Sequence, residues 1–476
     1  MPRPPGPDTL RELKDIGGGG SWLDSPDAVS PFLTDFRGLY RGATPLVLLP
    51  RSVDEVARIL RICHRDEVAV VPHGGNTSYC GGATPDEAGA QIVLSMRRLN
   101  RIRQIDAADY SMIVEAGCTL AEAQAAAREV ARLFPLSLGS EGTAQIGGNL
   151  STNAGGTAVL RYGMMRDLVL GLEVVLADGR VLAALKSLRK DNTGYDVKSL
   201  FVGAEGTLGV ITAACLKLFP QPADSATALV GISEPRHALD LLAHLRMAAG
   251  DQVTSFELMP RMAVELTVKY VPGVADPSSQ GTPWYLLIEL SSPNPRQDLN
   301  SVLTAVLEDA AARGAIEDAM LATSIAQARA MWKLRESVPE AQRRHGLSLK
   351  HDVSVPVSAI PSLIDKGSAL VGNLAPEGDV IAYGHAGDGN LHFNVSQKPG
   401  SAAEAFLARK HALEQAMFDL VESLGGSISA EHGIGRLKAA EFARRADPVE
   451  LDLMYALKRA LDPKGILNPG KVLCGR

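Results

Sequence analysis

The chain of 476 residues is 46% hydrophobic and 21% charged, the composition of a globular protein long enough for two or three domains. Its formal net charge is −6, from 48 basic and 54 acidic residues, and no basic block stands out, so nucleic acid is not expected as a partner. Its apolar runs fall short of the roughly 18 residues that a transmembrane helix needs. The five cysteines form no C-x-x-C pair, so they suggest neither an iron–sulfur cluster nor a zinc ribbon and fit a reducing compartment.

The N-terminal segment, residues 1–30, is rich in Pro and Gly and lacks the apolar core of a secretory signal, so we expect a loosely ordered lead-in. Residues 47–50 then predict a short strand. Ser52 is a candidate N-cap of the following helix, because Glu55 stands three residues later, as in a capping box.

A buried strand at residues 68–71 leads directly into a glycine-rich segment, residues 72–82. A glycine loop that leaves a strand can turn successive backbone N–H groups inward and form an anion-binding nest. The loop contains no lysine, and no G-x-G-x-x-G follows a strand anywhere in the chain, which weighs against a P-loop and against a Rossmann NAD site. From the residues alone, a glycine-rich hairpin remains the alternative.

Small polar residues dominate the tract at 138–163, and they suit a close approach of the backbone to a long polar ligand. A low-complexity linker is the alternative, but the strand that follows at once argues against disorder. The Asp-Gly pair at 178–179 predicts a β-hairpin over 171–184. Residues 203–211 form another glycine-spaced entry into a strand.

After Pro220 the pattern changes to strands and helices in alternation. Two β-α-β patterns occur, at 228–258 and 284–323, and they indicate an α+β sheet domain covered by helices. Further along, Ser337 is a candidate helix cap, residues 347–355 predict a strand, and residues 402–424 predict one helix. The tail at 457–471 is expected to be a helix that ends in turns.

Two polar patches in this half carry candidate chemistry. The first, residues 383–394, predicts a tight glycine loop feeding a strand; the second is residues 429–435. Two imidazoles and one carboxylate are the ligands of a zinc-type catalytic site with an open position, and His385, His392 and Glu431 supply them. His432 is left over as a base. The alternative is that the glycines serve turns and the histidines are surface residues, and only a fold that brings both patches together favours the metal.

Six motifs of this chain occur in the same order in a known family, and the resemblance covers roughly residues 30–473. The chain resembles the FAD-linked D-2-hydroxyacid dehydrogenases, which belong to the vanillyl-alcohol-oxidase-type flavoproteins. Within them it is most similar to D-2-hydroxyglutarate dehydrogenases, next to D-lactate and glycolate dehydrogenases. The motifs lie at residues 72–82, 138–163, 203–211, 383–394, 430–435 and 462–471.

The resemblance implies an α+β fold with a two-subdomain FAD-binding domain and a ferredoxin-like antiparallel-sheet substrate domain covered by helices. The expected divisions are the lead-in at 1–30, the FAD-binding domain at 31–220, the substrate domain at 221–425, and a segment at 426–476 that completes the active site and returns to the FAD domain.

The resemblance also implies a set of FAD-binding residues. The loop at 72–78 would hold the pyrophosphate, the tract at 140–162 would line the flavin, and Gly206 and Ile211 would lie at the adenine end. Asn76 stands where some relatives attach the flavin to a histidine, so we expect non-covalent FAD. The implied residues are Pro72, His73, Gly74, Gly75, Asn76, Thr77, Ser78, Gly81, Ser140, Thr143, Gly147, Asn149, Ser151, Asn153, Gly156, Tyr162, Gly206, Ile211 and Asn468, with His73 as an ordinary loop residue.

For the active site the resemblance implies a divalent metal, with zinc as the expected ion, on His385, His392 and Glu431. His432 would be the base and would also contact the substrate. The substrate would bind to Asn394, and to Arg335 and Lys350 through its carboxylates. Where some relatives carry a threonine, this chain has Pro339, which cannot donate a hydrogen bond, so a four-carbon diacid such as D-malate stays open.

The expected reaction is oxidation of D-2-hydroxyglutarate to 2-oxoglutarate, in which a cofactor must accept the hydride because protein side chains cannot. The alternatives are a D-lactate or glycolate dehydrogenase of the same fold and a non-catalytic subunit of a glycolate-oxidase-like complex. A separate electron acceptor, an electron-transfer flavoprotein or a quinone, is expected, and the chain could form a homodimer. The expected compartment is the cytoplasm, or the mitochondrial matrix in a eukaryote.

Overall fold

The computed structural model describes residues 2–277 and 281–474, and the chain divides into two compact units. The first unit comprises residues 1–155, 163–221 and 431–476. The second unit comprises residues 156–162 and 222–430.

Short helices and strands alternate up to residue 221. The helices are α1 Pro7–Lys14, α2 Pro26–Val29, α3 Val53–Asp66, α4 Leu120–Glu129, α5 Ile146–Ser151, α6 Val159–Tyr162 and α7 Met165–Leu168. The strands are β1 Trp22–Leu23, β2 Val47–Leu48, β3 Val70–His73, β4 Ile92–Ser95, β5 Ile102–Asp106, β6 Ser111–Glu115, β7 Arg132–Leu133, β8 Val169–Val175, β9 Val181–Ala184, β10 Val210–Lys217 and β11 Phe219–Pro220.

The first unit contains two larger sheets. One has the order β1-β2-β4-β3, in which β2 and β3 both run parallel to β4. The other is antiparallel, in the order β5-β6-β10-β8-β9. The predicted hairpin of β8 and β9 is confirmed: Gly179 has a φ of +81°, which glycine adopts without steric cost, and the Leu176 amide bonds the Arg180 carbonyl at 2.9 Å.

Helix α3 begins as its sequence predicts. The Ser52 hydroxyl accepts a hydrogen bond from the Glu55 amide at 3.2 Å, which satisfies one of the N–H groups that a helix start leaves unpaired. Its apolar face, including Val56, Leu60 and Cys63, is fully buried. The helix therefore docks firmly and delivers the chain into β3, from which the glycine loop departs.

The lead-in at residues 1–30 differs from the expectation of loose order. Helix α1 buries Leu13 completely, and the Thr9 hydroxyl donates to the Asp66 carboxylate on α3 at 2.8 Å. The Arg3 amide also donates to the Glu67 carbonyl at 2.7 Å. Proline and glycine content gave the wrong expectation, because Thr9 and Leu13 lie on one face of α1 and are buried, and Ile16 just after the helix is buried too.

Longer elements follow residue 221. The helices are α8 Pro235–Ala249, α9 Arg261–Tyr270, α10 Leu299–Ala312, α11 Ile325–Glu336, α12 Val338–His345, α13 Ile360–Leu374, α14 Ala403–Ala408, α15 Lys410–Ser423, α16 Ala439–Arg445 and α17 Pro448–Leu461. The strands are β12 Asp224–Ile232, β13 Val253–Pro260, β14 Trp284–Ser292, β15 Asp318–Leu321, β16 Ser348–Leu349, β17 Asp352–Ser354, β18 Gly378–His385 and β19 Asn390–Gln397.

The second unit is built on one antiparallel sheet in the order β15-β12-β14-β13-β18-β19-β16, with β17 also paired to β19. Alternate residues of β12 serve opposite faces: Val230 packs with α8, α10 and α13, whereas Leu229 packs with α9, α11 and α12. Helices therefore cover both faces, and the central strands are buried on both sides. A polar residue in such a strand has to find a partner inside the protein.

Three details of the second unit differ from the predictions. The strand expected at 347–355 is interrupted at Lys350 and His351, although its register with β19 continues on both sides. The single helix expected at 402–424 is two helices, with Arg409 between them. Ser337 adopts helical backbone angles between α11 and α12, so its side chain does not cap α12.

Residues 156–162 fall in the second unit, unlike the boundary at 220 that the sequence suggested. The Thr157 carbonyl accepts a hydrogen bond from the Ser255 hydroxyl of β13 at 2.7 Å, and Leu160 packs against that unit's core. In the described part of the chain, no helix is long and apolar enough to span a bilayer.

Candidate active site

The predicted anion nest follows β3 in the first unit. A Cβ on Gly75 would lie 2.1 Å from the Thr143 carbonyl oxygen, so only glycine fits this close passage. Asn76 next to it has a φ of +53°, a conformation that asparagine tolerates better than most residues. The loop is thus held in a conformation that its sequence permits and most sequences do not.

The amides of this loop make no hydrogen bonds to the part of the chain that the structure describes. Among the described residues, none accepts a hydrogen bond from the backbone N–H of residues 74–78. Successive unpaired amides after a strand are the donor set that binds a phosphate. The loop therefore fits the pyrophosphate of a dinucleotide.

Buried polar atoms surround the same loop. In the described part of the chain, Gln145 Oε1, Asn149 Nδ2 and both ring nitrogens of His73 are buried without a hydrogen-bond partner. Burial lowers the pKa of His73 to about 4, so its ring is neutral at pH 7. Buried polar groups are normally hydrogen-bonded, so these atoms suit a polar ligand such as FAD.

Several predicted FAD residues have structural roles of their own. Ser151 Oγ donates to the Gly147 carbonyl at 2.7 Å, and Asn153 Oδ1 accepts from the Arg166 amide at 2.9 Å. Asn468 Nδ2 donates to the carbonyls of Gly82 and Glu205 at 2.9 and 2.7 Å.

The other predicted FAD residues fall into three groups. Gly206 lies against the Pro72 ring, and Ile211 is buried in β10. Ser140 and Thr143 are accessible. Gly156 and Tyr162 belong to the second unit.

The predicted base, His432, lies in the first unit beside the end of the glycine loop. Its ring is 4.4 Å from the Tyr79 ring, centroid to centroid, and its carbonyl accepts from Ser78 Oγ at 3.4 Å. Glu431 precedes it and is half-buried. The fold thus brings the predicted base next to the loop that fits the dinucleotide.

Glu205 fixes this segment, and the sequence analysis did not single it out. Its carboxylate accepts hydrogen bonds from the amides of Ile434 at 2.8 Å and Gly435 at 3.0 and 3.1 Å. Glu205 is 8% exposed. Its pKa is raised, because the effect of burial exceeds the lowering by the hydrogen bonds from those amides. A lone acid between glycines, in Gly203–Gly206, was the available signal.

The two predicted metal-binding histidines meet in the second unit. His385 ends β18 and His392 lies in β19, and the turn between these strands places their ring centroids 5.7 Å apart. Glycine is required in this turn, since a Cβ on Gly389 would lie 2.1 Å from the Val355 carbonyl oxygen. The sequence prediction of a tight loop feeding a strand is confirmed.

Glu257 of β13 organises this region, and it too was missed. It stands directly opposite His385 in the strand register, and it is fully buried. Its Oε1 accepts from His385 Nδ1 at 2.6 Å, while its Oε2 accepts from Nε and Nη2 of Arg335, each at 2.8 Å. Burial raises the pKa of Glu257, but the His385 imidazole and the Arg335 guanidinium outweigh it and hold the pKa at about 2.

Both imidazoles have a carboxylate at Nδ1. His385 Nδ1 bonds Glu257, and His392 Nδ1 lies 3.5 Å from Asp352 Oδ1, whose position is fixed by Asn390 Nδ2 at 3.0 Å. A proton on Nδ1 leaves Nε2 with the lone pair that coordinates a metal, which is the usual carboxylate–histidine–metal arrangement. The histidine pair therefore fits a divalent cation.

The predicted substrate residues occupy different settings. Arg335 is 6% exposed, and its guanidinium carbon lies 4.9 Å from the centroid of the Tyr383 ring. Asn394 is buried, and its Nδ2 donates to Gln342 Oε1 at 2.9 Å. Lys350 is half-buried in the break between β16 and β17. Pro339 lies in the first turn of α12, where its missing N–H leaves no helix bond unmade.

Known proteins are similar to this chain over nearly its whole length. Residues 44–184 match the family model "FAD binding domain", and residues 221–472 match "FAD linked oxidases, C-terminal domain". The chain is 40% identical over 457 residues to the mitochondrial D-2-hydroxyglutarate dehydrogenase of Bos taurus, covering 95% of this chain and 81% of that protein. It is 37% identical over 466 residues to the mitochondrial D-2-hydroxyglutarate dehydrogenase of Arabidopsis thaliana, covering 97% and 80%.

The fold is shared more widely. A crystal structure of p-cresol methylhydroxylase with substrate bound matches with a TM-score of 0.76 at 19% identity, over 98% of this chain and 96% of that one. At so low an identity, the match is evidence for the fold only. The match confirms the predicted α+β architecture. The chain belongs to the FAD-linked D-2-hydroxyacid dehydrogenase family.

Proposed function

We propose that this protein oxidises D-2-hydroxyglutarate to 2-oxoglutarate, with FAD as the hydride acceptor and a divalent metal at the substrate. The observation that carries the proposal is the buried Glu257, which holds both a histidine fit for a metal and an arginine fit for a carboxylate. Relatives with this activity in their names support the substrate.

Metal ligation is proposed for His385, His392 and Glu431, with zinc as the ion. The supporting evidence is the pair of imidazoles with carboxylates at Nδ1. A divalent cation in such a site would lower the pKa of a bound hydroxyl group.

The chain's own residues would bind and deprotonate the substrate. Arg335 can offer its remaining Nη1 edge to a carboxylate, because Glu257 takes Nε and Nη2. Lys350 would supply a second positive charge, and Asn394 an amide contact. His432 would take the hydroxyl proton, a step worth roughly 10²–10⁴ in rate for a well-placed base.

The flavin is proposed to bind without a covalent link, because Asn76 stands where some relatives attach it to a histidine. Acid precipitation of the purified protein checks this directly. Yellow flavin should stay in the supernatant, whereas flavin retained in the pellet would refute non-covalent binding.

D-Malate is the second candidate substrate. Pro339 supports it, since proline offers no hydroxyl to a distal carboxylate at the position where some relatives have threonine. D-Lactate and glycolate are less favoured, because a monoacid needs only one of the cations Arg335 and Lys350. A non-catalytic subunit is also less favoured, because His385, His392, Glu431 and His432 are all present.

The remaining expectations concern the setting of the reaction. Electrons are proposed to leave to a separate electron-transfer flavoprotein or quinone, and a homodimer is a further prediction. The compartment is proposed to be the cytoplasm, or the mitochondrial matrix in a eukaryote; the names of several relatives call those proteins mitochondrial.

Anaerobic titration of the yellow protein tests the proposed reaction. D-2-Hydroxyglutarate should bleach the visible flavin absorbance at the lowest concentration, D-malate at a higher one, and D-lactate weakly. Failure of both diacids to reduce the flavin would overturn the proposal, and preferential reduction by D-lactate would favour the monoacid alternative.

A further inference from the structure

We propose that Glu257 is a shared positioning residue, which orients His385 for the metal and Arg335 for the substrate carboxylate at the same time. The inference rests on the proposed function and goes beyond it, because it assigns a role to a residue that contacts neither ligand.

The geometry divides the two oxygens of Glu257 between two partners. Oε1 accepts from His385 Nδ1 at 2.6 Å, and Oε2 accepts from the Nε and Nη2 edge of Arg335 at 2.8 Å. The Tyr383 ring lies against the Arg335 guanidinium, whose central carbon is 4.9 Å from the ring centroid. Both partners are thereby held in one orientation by a single carboxylate.

The main chain makes this carboxylate rigid. Glu257 lies in the middle of β13, all of whose residues are buried, and it faces His385 across the β13–β18 ladder. A buried strand has little freedom to adjust, so the distance from His385 to Arg335 is set by one side chain.

A merely stabilising role would not need these groups. Taking a carboxylate and a guanidinium out of water costs several kcal/mol per ion, and apolar residues of similar volume often stabilise a core as well or better. The presence of a buried ion cluster is explained if Glu257 serves to orient His385 and Arg335.

The two halves of the role can be separated by substitution. Glu257→Gln keeps one oxygen that can accept from Arg335, but its amide nitrogen cannot accept from His385 Nδ1. Glu257→Asp keeps the charge and is one methylene shorter, so it cannot reach both partners from the same strand position.

Glu289 provides a matched control. It lies on the adjoining strand β14 of the same sheet, next to Ser255 in register, and its carboxylate accepts from Trp332 Nε1 at 2.7 Å. Glu289→Gln therefore removes a carboxylate from the same sheet without touching a histidine or the arginine.

The test is calorimetric titration of Zn²⁺ into the flavin-loaded, metal-stripped protein. Substitution of a residue that orients a metal ligand typically costs 10–100-fold in metal affinity. We expect such a loss for Glu257→Gln and a change within about 2-fold for Glu289→Gln. Unchanged Zn²⁺ affinity in Glu257→Gln, or equal losses in both variants, would overturn the inference.

A second readout covers a variant that does not fold. If Glu257→Gln is insoluble, Glu257→Asp, which keeps the charge, should lower both Zn²⁺ affinity and kcat/KM for the diacid, whereas a wild-type value for either would contradict the shared role. Failure of the proposed function is distinguishable, because the wild-type protein would then fail to bind Zn²⁺ or to be reduced by a diacid.

Discussion

The two units prepare for ligands by opposite means. The first unit offers backbone amides in a loop that only glycine can form, together with a neutral His73 and the uncharged Gln145 and Asn149. The second unit offers charged side chains, with Glu257 between His385 and Arg335 inside a fully buried strand.

This contrast teaches what each kind of site depends on. A backbone nest depends on the absence of side chains and is indifferent to charge substitutions elsewhere. A buried ion cluster depends on every member, since removing one leaves another charge unpaired. The following substitutions should expose that difference, beginning with the largest effect.

Gly75→Ala should abolish flavin binding. Its Cβ would lie 2.1 Å from the Thr143 carbonyl oxygen, a main-chain atom that cannot move aside without opening the loop. We expect FAD affinity to fall by at least about 100-fold, a loss of roughly 2.7 kcal/mol or more. The measurement is the flavin-to-protein ratio with fluorescence titration of the apoprotein.

Gly139→Ala is the matched control, because a Cβ there would meet nothing within 4 Å. Normal flavin content in Gly75→Ala would show that the loop tolerates a side chain and would remove the argument for a glycine-dependent nest.

Arg335→Lys should leave flavin binding unchanged and weaken substrate binding. Lysine keeps the charge but lacks the planar fork, so it cannot bond Glu257 and a carboxylate together. We expect KM for the diacid to rise by about 100-fold, as for a lost charged hydrogen-bonded pair. Steady-state kinetics check this, with Lys333→Arg on the same helix as the control, and a KM within 3-fold of the wild type would argue against Arg335 at the carboxylate.

Glu205→Gln should have a smaller effect on turnover. It alters the carboxylate that fixes the segment carrying His432 in the first unit. The variant keeps one acceptor oxygen, but its amide nitrogen faces the N–H groups of Ile434 and Gly435, so the segment carrying His432 loses its fixed position. We expect kcat to fall by about 10-fold, with flavin retained, since small misplacements of a base are costly. The exposed Glu129→Gln is the control, and full turnover in Glu205→Gln would remove Glu205 from this role.

The last expected effect concerns stability against pH rather than flavin binding or turnover. The pKa of His73 is about 4 in the folded protein, below the usual 6.5, so between these values the unfolded chain binds a proton that the folded chain does not. Stability from this group is complete above about pH 6.5 and is lost as the pH falls to about 4, up to roughly 3 kcal/mol.

Thermal melts of the holoprotein between pH 4 and 7 should show this. The melting temperature of His73→Gln should fall less on acidification than that of the wild type. The melting temperature of His411→Gln, a change at an exposed histidine, should fall as much as that of the wild type. Parallel profiles for the wild type and His73→Gln would contradict the assignment.

The same contrast explains what the sequence could and could not reveal. The glycine loop and the turn between β18 and β19 are local, so their spacing predicted them. The lead-in was judged by composition, which hid the buried stripe of α1. Glu257 is recognisable in the sequence as a charged residue in an apolar strand. Its partners Arg335 and His385 are 78 and 128 residues away along the chain, and only the folded sheet makes them neighbours.

We propose that His385, His392 and Glu431 hold one divalent cation. Anomalous diffraction from crystals of the zinc-loaded holoprotein, recorded on both sides of the zinc edge, tests it most directly. We expect one strong peak about 2.0–2.1 Å from Nε2 of both histidines and about 2.0–2.2 Å from a Glu431 oxygen. A peak liganded by other residues, or none at full occupancy of flavin and substrate, would contradict it.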